Sequence, residues 1–247
     1  MDSSNKVAIV CIAKKEDNYI REWIDYHTKL GFDHFFIYEN NWRSNLDLPN
    51  VTCIPWDGNE KQLPAYNDAI KKLTGEYKWA AFIDVDEFFA LKRHDNIKDL
   101  LYSYHDFIAN GLGVNWAMFG SNGHIKIENG NYQVVDRFTK RQSGVHDHVK
   151  SILLLDHNVK VFIDPHRPTG GLTDTNMNTF NSPFNPKGTH DVIQLNHYFC
   201  KTIEEYKHKR NRGRADCSFM HTFDLFHSTD AYSNEIEDLT AIKFKYL

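Results

Sequence analysis

Four apolar runs in the first 83 residues, separated by two stretches of helical spacing, constrain this chain more than any other feature. Residues 6–13 (KVAIVCIA) are continuously apolar, the mark of a strand buried on both faces. Residues 34–38, 51–56 and 79–83 read as further strands. Between them, residues 18–30 place Ile20, Trp23, Ile24, Tyr26, His27 and Leu30 at intervals of three and four, and Gly31 closes that helix. Residues 61–73 form a second helix, with Pro64 in its first turn and Gly75 as the stop. Strands that alternate with helices imply a parallel sheet covered on its faces. The expected fold class is therefore α/β, a Rossmann-like and mostly parallel central sheet flanked by helices.

In open sheets of this kind, ligands bind beyond the carboxyl ends of the strands. Residues 13–17, 39–42, 56–62 and 84–87 meet there, and all four segments are polar. The last is the most telling. Trp79 to Ile83 is apolar, and Asp84-Val85-Asp86-Glu87 then supplies three acids in four residues. Alternation on a strand points Asp84 and Asp86 to one face. Two carboxylates on one face suit a hard divalent cation, Mn²⁺ or Mg²⁺, and the phosphates it carries. An edge strand with solvated acids is the plainer alternative.

The second half changes character. Residues 112–118, 125–127, 134–139, 149–155, 159–163 and 192–195 read as short strands broken by Gly, Asn and Pro. Residues 165–188 read as one long loop, of the kind that is often functional. Thr202-Ile203-Glu204-Glu205 is a capping box that opens a basic helix through Arg212. Residues 233–246 read as a last helix. The expectation is one domain over 1–247, irregular and β-rich in its C-terminal half. Residues 1–90 would hold a nucleotide and 91–247 an acceptor.

Composition narrows the partners. Hydrophobic residues make 41% and charged residues 25% of 247, ordinary for a soluble globular protein. A net charge of −4 gives no footprint for nucleic acid. No apolar run reaches the ~20 residues of a membrane span, and residues 1–6 lack a signal-peptide pattern. Cys11, Cys53, Cys200 and Cys217 form no closely spaced pair. They read as reduced thiols of a cytoplasmic protein rather than a zinc site.

An ordered series of motifs resembles glycosyltransferase family 92 and its bacterial relatives. It begins with Trp23, Tyr26-His27, Gly31-Phe32 and Phe36-Ile37-Tyr38-Glu39-Asn40. It continues through Lys78-Trp79, Asp84-Val85-Asp86-Glu87-Phe88 and Asn115-Trp116-Ala117-Met118-Phe119-Gly120. Arg137-Phe138-Thr139, Lys150-Ser151-Ile152, His166, Leu195-Asn196-His197-Tyr198, Lys201 and the helix end at 207–213 complete it. The series spans roughly residues 7–214. The resemblance implies the fold type called GT-A. It also implies a divalent metal, usually Mn²⁺, and transfer of a sugar, galactose first, from a UDP-sugar to a glycan hydroxyl, with inversion.

On that resemblance, Asp84, Asp86 and His197 are the metal candidates, although a histidine after an apolar strand can equally be a core residue. Ala13, Lys15, Glu16, Asn40, Gln62, Asp84 and Lys201 are the candidates for the nucleotide sugar, with Lys201 favoured at the phosphates. Most other cations of the basic helix read as a solvated face. Trp116, Phe119 and Gly120 resemble the acceptor-facing stretch, although the two aromatics can equally be core. Lys150 is a further cation for the leaving group. No acid follows Gly120, so the general base stays open among His124, Glu87, Asp147 and Asp174, and Glu87 can instead anchor the acidic turn. His146-Asp147-His148 reads as a surface loop. The expected acceptor is a glycan, free or lipid-linked, in the making of a bacterial surface polysaccharide, with the enzyme free or peripheral at the inner face of a membrane. Two alternatives stand beside this: a sugar-nucleotide nucleotidyltransferase, disfavoured because Lys14-Lys15-Glu16-Asp17 contains no glycine, and a non-catalytic carbohydrate-binding protein.

Overall fold

The computed structural model describes residues 5–108, 110–156 and 160–247. The first half alternates as the spacing predicts. Strand β1 (Val7–Ala13), helix α1 (Ile20–Lys29), β2 (His34–Glu39), β3 (Val51–Pro55), α2 (Gln62–Leu73) and β4 (Trp79–Phe82) follow in order. Strand β5 (Glu87–Leu91) and helix α3 (Ile97–Tyr104) come next. Then β6 (Gly111–Met118), a one-turn α4 (Val134–Arg137), β7 (Lys140–Arg141) and β8 (His146–Leu154) lead to four short strands. These are β9 (Phe162–Asp164), β10 (Arg167–Pro168), β11 (Leu172–Thr173) and β12 (Thr179–Phe180). The chain continues through β13 (Ile193–His197), α5 (Ile203–Arg212), α6 (Phe223–Tyr232), β14 (Ile236–Glu237) and α7 (Ile242–Lys245).

The main sheet runs β12-β11-β6-β8-β4-β1-β2-β3. Strands β4, β1, β2 and β3 are mutually parallel. Strand β8 pairs antiparallel with both β4 and β6, so the sheet is parallel in its first half and mixed in its second. Strand β13 adds to β6 in parallel and to β5 antiparallel.

The continuous apolar run of β1 has a simple cause. Val7, Ile9, Cys11 and Ala13 enter one core cluster, which includes residues of α1 and α3. Ala8, Val10 and Ile12 enter the other, against α2. Both faces are covered, so neither set of alternate residues is free to be polar. Burying one such large side chain contributes roughly 1.5–3 kcal/mol.

Helix α1 does more than cover the sheet. Trp23 Nε1 donates to the Glu87 carbonyl at 2.9 Å, and Tyr26 Oη donates to the Phe89 carbonyl at 2.7 Å. The Phe89 N–H donates to His27 Nε2 at 3.3 Å. Three side chains of one helix thus hold the strand that follows the acidic turn. Gly31 ends the helix at φ +105°, and a side chain there would meet Asn96, the residue that caps α3.

Several expectations in the second half are corrected. Residues 125–127 form no strand, and residues 134–137 turn as a helix. Residues 233–246 hold β14 and α7 rather than one helix. The expected strand at 159–163 begins at a residue outside the described residues, and its remainder overlaps β9. The long loop at 165–188 carries β10, β11 and β12. The capping box is present: Thr202 accepts from the Glu205 N–H and Glu205 from the Thr202 N–H. Among the described residues, no helix is long and apolar enough to cross a membrane.

Candidate functional site

The acidic turn joins β4 to β5 and opens on a cleft of about 400 Å³. Asp84 is held from three sides. Its Oδ2 accepts from Lys150 Nζ at 2.9 Å and its Oδ1 from Gln62 Nε2 at 3.0 Å. Its N–H donates to Glu87 Oε2 at 2.7 Å. Glu87 is fully buried, so it anchors the turn from behind rather than facing the cleft. Burial pushes its carboxyl well above the usual range, against the pull of Lys150 3.7 Å away. Lys150 is buried too; burial works against its charge, but Asp84 and Glu87 outweigh it and hold its pKa high.

Asp86 sits on the cleft with its Oδ2 2.6 Å from Lys209 Nζ and 3.7 Å from His197 Nε2. Burial alone would raise its pKa, but Lys209 and then His197 draw it well below the usual carboxylate range. His197 comes from the end of β13, where its Cα pairs with that of Glu87. Burial lowers its pKa, partly offset by Asp86, so the ring is neutral at pH 7. Its Nδ1 is buried and has no hydrogen-bond partner among the described residues.

A bulge between Asn115 and Trp116 in the β6–β8 ladder re-aims the side chains at the cleft. Trp116 lies there among four imidazoles. His148 stacks on it at 4.8 Å, and His197, His166 and His146 lie at 4.3, 5.3 and 5.5 Å. Burial lowers all four; for His146 the value falls to about 4.

Three cations also line the cleft, each paired with an acid of the chain. Lys209 and Arg212 of α5, with Arg214 just beyond it, line the cleft. The Lys61 N–H donates to the Ala215 carbonyl at 2.8 Å, which pins this segment over the start of α2. Arg212 pairs with Glu16 and donates to the Lys14 carbonyl at 3.1 Å. By sequence alone most of these cations read as a solvated face. The signal available was the spacing of three between Lys209 and Arg212, which puts them on one helix face.

Of the residues singled out from sequence, Glu16, Gln62, Asp84, Asp86, Trp116, Lys150 and His197 line this cleft. The others do not. Ala13 is in the core, and Asn40 ties the Trp56 and Gly58 carbonyls together. Phe119 is buried in the core, the plainer reading for that aromatic, and Gly120 is buried against Asn234. His124 is exposed, with its ring 6.0 Å from Phe138. Lys15 and Lys201 line a neighbouring cavity. Asp147 is exposed, and Asp174 is occupied by its own loop through Asn176 and Asn178. His146 and His148, expected on a surface loop, stand on the cleft wall instead.

A divalent ion fits part of this arrangement. Asp86 Oδ2 and His197 Nε2 face one another at less than twice the ~2.1 Å bond of a small divalent ion. One is a carboxylate and the other a neutral imidazole, so both are donors in the required state. Asp84 would join only by giving up a contact to Lys150 or Gln62. Among the described residues, no three His, Cys, Asp or Glu side chains already converge on one point.

Residues 50–169 match the family model described as glycosyltransferase family 92. A family 92 protein of Ricinus communis is 33% identical over 106 residues, 36% of this chain and 18% of that protein. One of Oryza sativa subsp. japonica is 26% identical over 134 residues, 50% of this chain and 23% of that protein. One of Arabidopsis thaliana is 31% identical over 85 residues, 31% of this chain and 15% of that protein. The matched stretches span less than a quarter of these relatives' lengths. A solved structure, Rv0371C of Mycobacterium tuberculosis in complex with manganese, superposes with a TM-score of 0.32 at 8% identity, over 46% of this chain and 66% of that one. That likeness is too slight to bear on the site. The family match runs through the acidic turn, Trp116, the two cleft histidines of β8 and Lys150, and over that stretch the chain is similar to glycosyltransferase family 92.

Proposed function

We propose that this chain transfers a sugar from a nucleotide diphosphate donor to a glycan hydroxyl. The observation that carries the reading is one cleft lined both by Asp84 and Asp86 and by Lys209, Arg212 and Arg214. A sugar diphosphate is the ligand that needs both. Its diphosphate meets the three cations, and its departure as an anion is favoured by fixed positive charge in a site partly closed to water. Asp86, His197 and Asp84 would hold a divalent ion, Mn²⁺ or Mg²⁺. When bound, such an ion supplies further positive charge to the leaving diphosphate.

The acceptor hydroxyl must lose a proton. His148 is the residue for that step. It is stacked on Trp116, lines the cleft, and has a depressed pKa that leaves its lone pair free at neutral pH. Inversion follows if His148 and the diphosphate lie on opposite sides of the anomeric carbon. UDP-galactose is the first donor to try. The acceptor is a glycan, free or lipid-linked, and the setting is a surface polysaccharide made at the inner face of a membrane.

Thermal unfolding with UDP tests the reading, because a ligand of the native state raises Tm by mass action. UDP with Mn²⁺ should stabilise the protein, and UDP alone much less. A donor panel should then release UDP in a metal-dependent way. Stabilisation by nucleoside triphosphates but by no nucleoside diphosphate, with any metal, would overturn it.

A further inference from the structure

A second cavity, of about 240 Å³, lies beside the cleft. Glu16, Phe199, Lys209 and Arg212 line both and form the wall between them. Lys201 is its most unusual residue. The side chain is only 6% exposed, and its Nζ stands 4.0 Å from the Tyr19 ring centroid. Among the described residues, no carboxylate lies within ion-pair distance of that ammonium. The acids that line the cavity pair elsewhere, Glu16 with Arg212 and Glu205 with Arg137. Lys15, at the same cavity, has no ion pair among the described residues either. Both lysines sit in the left-handed backbone region, at φ +49° and +54°. Such conformations concentrate at ligand sites in side chains other than glycine.

Asp86, Glu16 and Glu205 act on this ammonium only from a distance, so its contact positions can take an anion from outside the chain. The rest of the lining says what carries it. Tyr19 and Tyr132 meet edge to face at 5.8 Å, and Phe199 stands on the shared wall, so the cavity offers aromatic surfaces to a ring. Its volume is below the ~300–1,000 Å³ of drug-sized sites, which suits a single ring. Two separate ammonium groups match the two oxygens of a carboxylate. A phosphate brings three acceptor oxygens, one more than the two ammonium groups match.

We propose that this cavity binds a sugar ring bearing a carboxylate, a uronic acid unit, with its acid group on Lys201 and Lys15. Its place beside the donor cleft makes it a subsite for the acceptor glycan. That role rests on the proposed transferase function, whereas the binding itself does not.

Ligand-observed NMR on the full chain tests it with glucuronate, glucose and inorganic phosphate as probes. Glucuronate should bind at least ~10-fold more tightly than glucose. Lys201→Met should remove that preference. Lys15→Met, at an exposed position, should reduce it and covers the case in which the buried variant fails to fold. Equal binding of the two sugars, a preference untouched by either substitution, or binding of phosphate without glucuronate would each overturn the proposal. Thermal shift by UDP with Mn²⁺ on the same samples reports the cleft separately. Its absence beside intact glucuronate binding would sink the transferase reading and leave this subsite standing.

Discussion

Lys209 Nζ lies 2.6 Å from Asp86 Oδ2, a contact that ties α5 to the acidic turn across 123 residues of sequence. The acid nearest the proposed metal position is therefore balanced by a cation of the chain itself. A ligand that draws Lys209 away must compensate Asp86, as a cation does. Asp86→Asn keeps the shape and removes the charge. We expect transfer to fall by at least ~100-fold with the fold retained, read as UDP release and circular dichroism. Transfer at the original rate would remove Asp86 from the mechanism.

Lys150 is 1% exposed and bridges Asp84 and Glu87. Lys150→Met leaves Asp84 without that cation and Glu87 more strongly protonated. The expected loss is about 3 kcal/mol or more in urea unfolding, since one partner of a buried ionic group is removed. Adding Asp84→Asn should return part of it, which a double-mutant cycle measures. Additive losses would mean that the two do not interact.

His148 fits a base that works below the usual histidine range. The acid limb of its pH–rate profile should lie under the ordinary value near ~6.5, because burial and His197 both lower its pKa. His148→Asn should cost about 100-fold or more in kcat and abolish that limb. A limb that survives the substitution assigns it to another group.

His27 makes stability depend on pH. Its Nδ1 donates to the Trp23 carbonyl at 2.8 Å and its Nε2 accepts from the Phe89 N–H, an arrangement open only to the neutral ring. Burial lowers its pKa to about 3. The unfolded chain protonates first, so this contribution is whole above pH ~6.5 and is lost as pH falls toward about 3. The urea midpoint should drop across that window, and His27→Gln should flatten the slope. An unchanged slope would place the pH dependence elsewhere.

Glu205 joins four groups: Tyr19 Oη, the two terminal nitrogens of Arg137 and the Thr202 N–H. Thr202→Ala removes a cap and should cost about 1 kcal/mol. Glu205→Ala also strands a largely buried guanidinium and should cost about 3 kcal/mol or more. Calorimetry that ranks them the other way would contradict this.

The parallel half of the sheet could be read from sequence because its cause is local. An apolar run such as residues 6–13 reports two covered faces, and the period of α1 reports one. The acidic turn was legible for the same reason, since few arrangements follow an apolar strand with three acids. The second half was less so. Residues 134–139 look like a strand by composition, yet four of them make a single turn whose first two N–H groups are held by Glu22. No local pattern reports a partner 112 residues away. Lys201 and Lys209 differ in the same way. Both follow His197 closely, but which reaches the cleft depends on where α5 lies against the turn. His146 and His148 gained their place from a bulge at Asn115 that composition does not foretell.

The pairing of His197 with Glu87 in the β5–β13 ladder has a mechanical consequence. The histidine and the acidic turn ride on one hydrogen-bonded unit, braced from behind by Trp23, Tyr26 and His27. They cannot drift apart without breaking several backbone contacts at once.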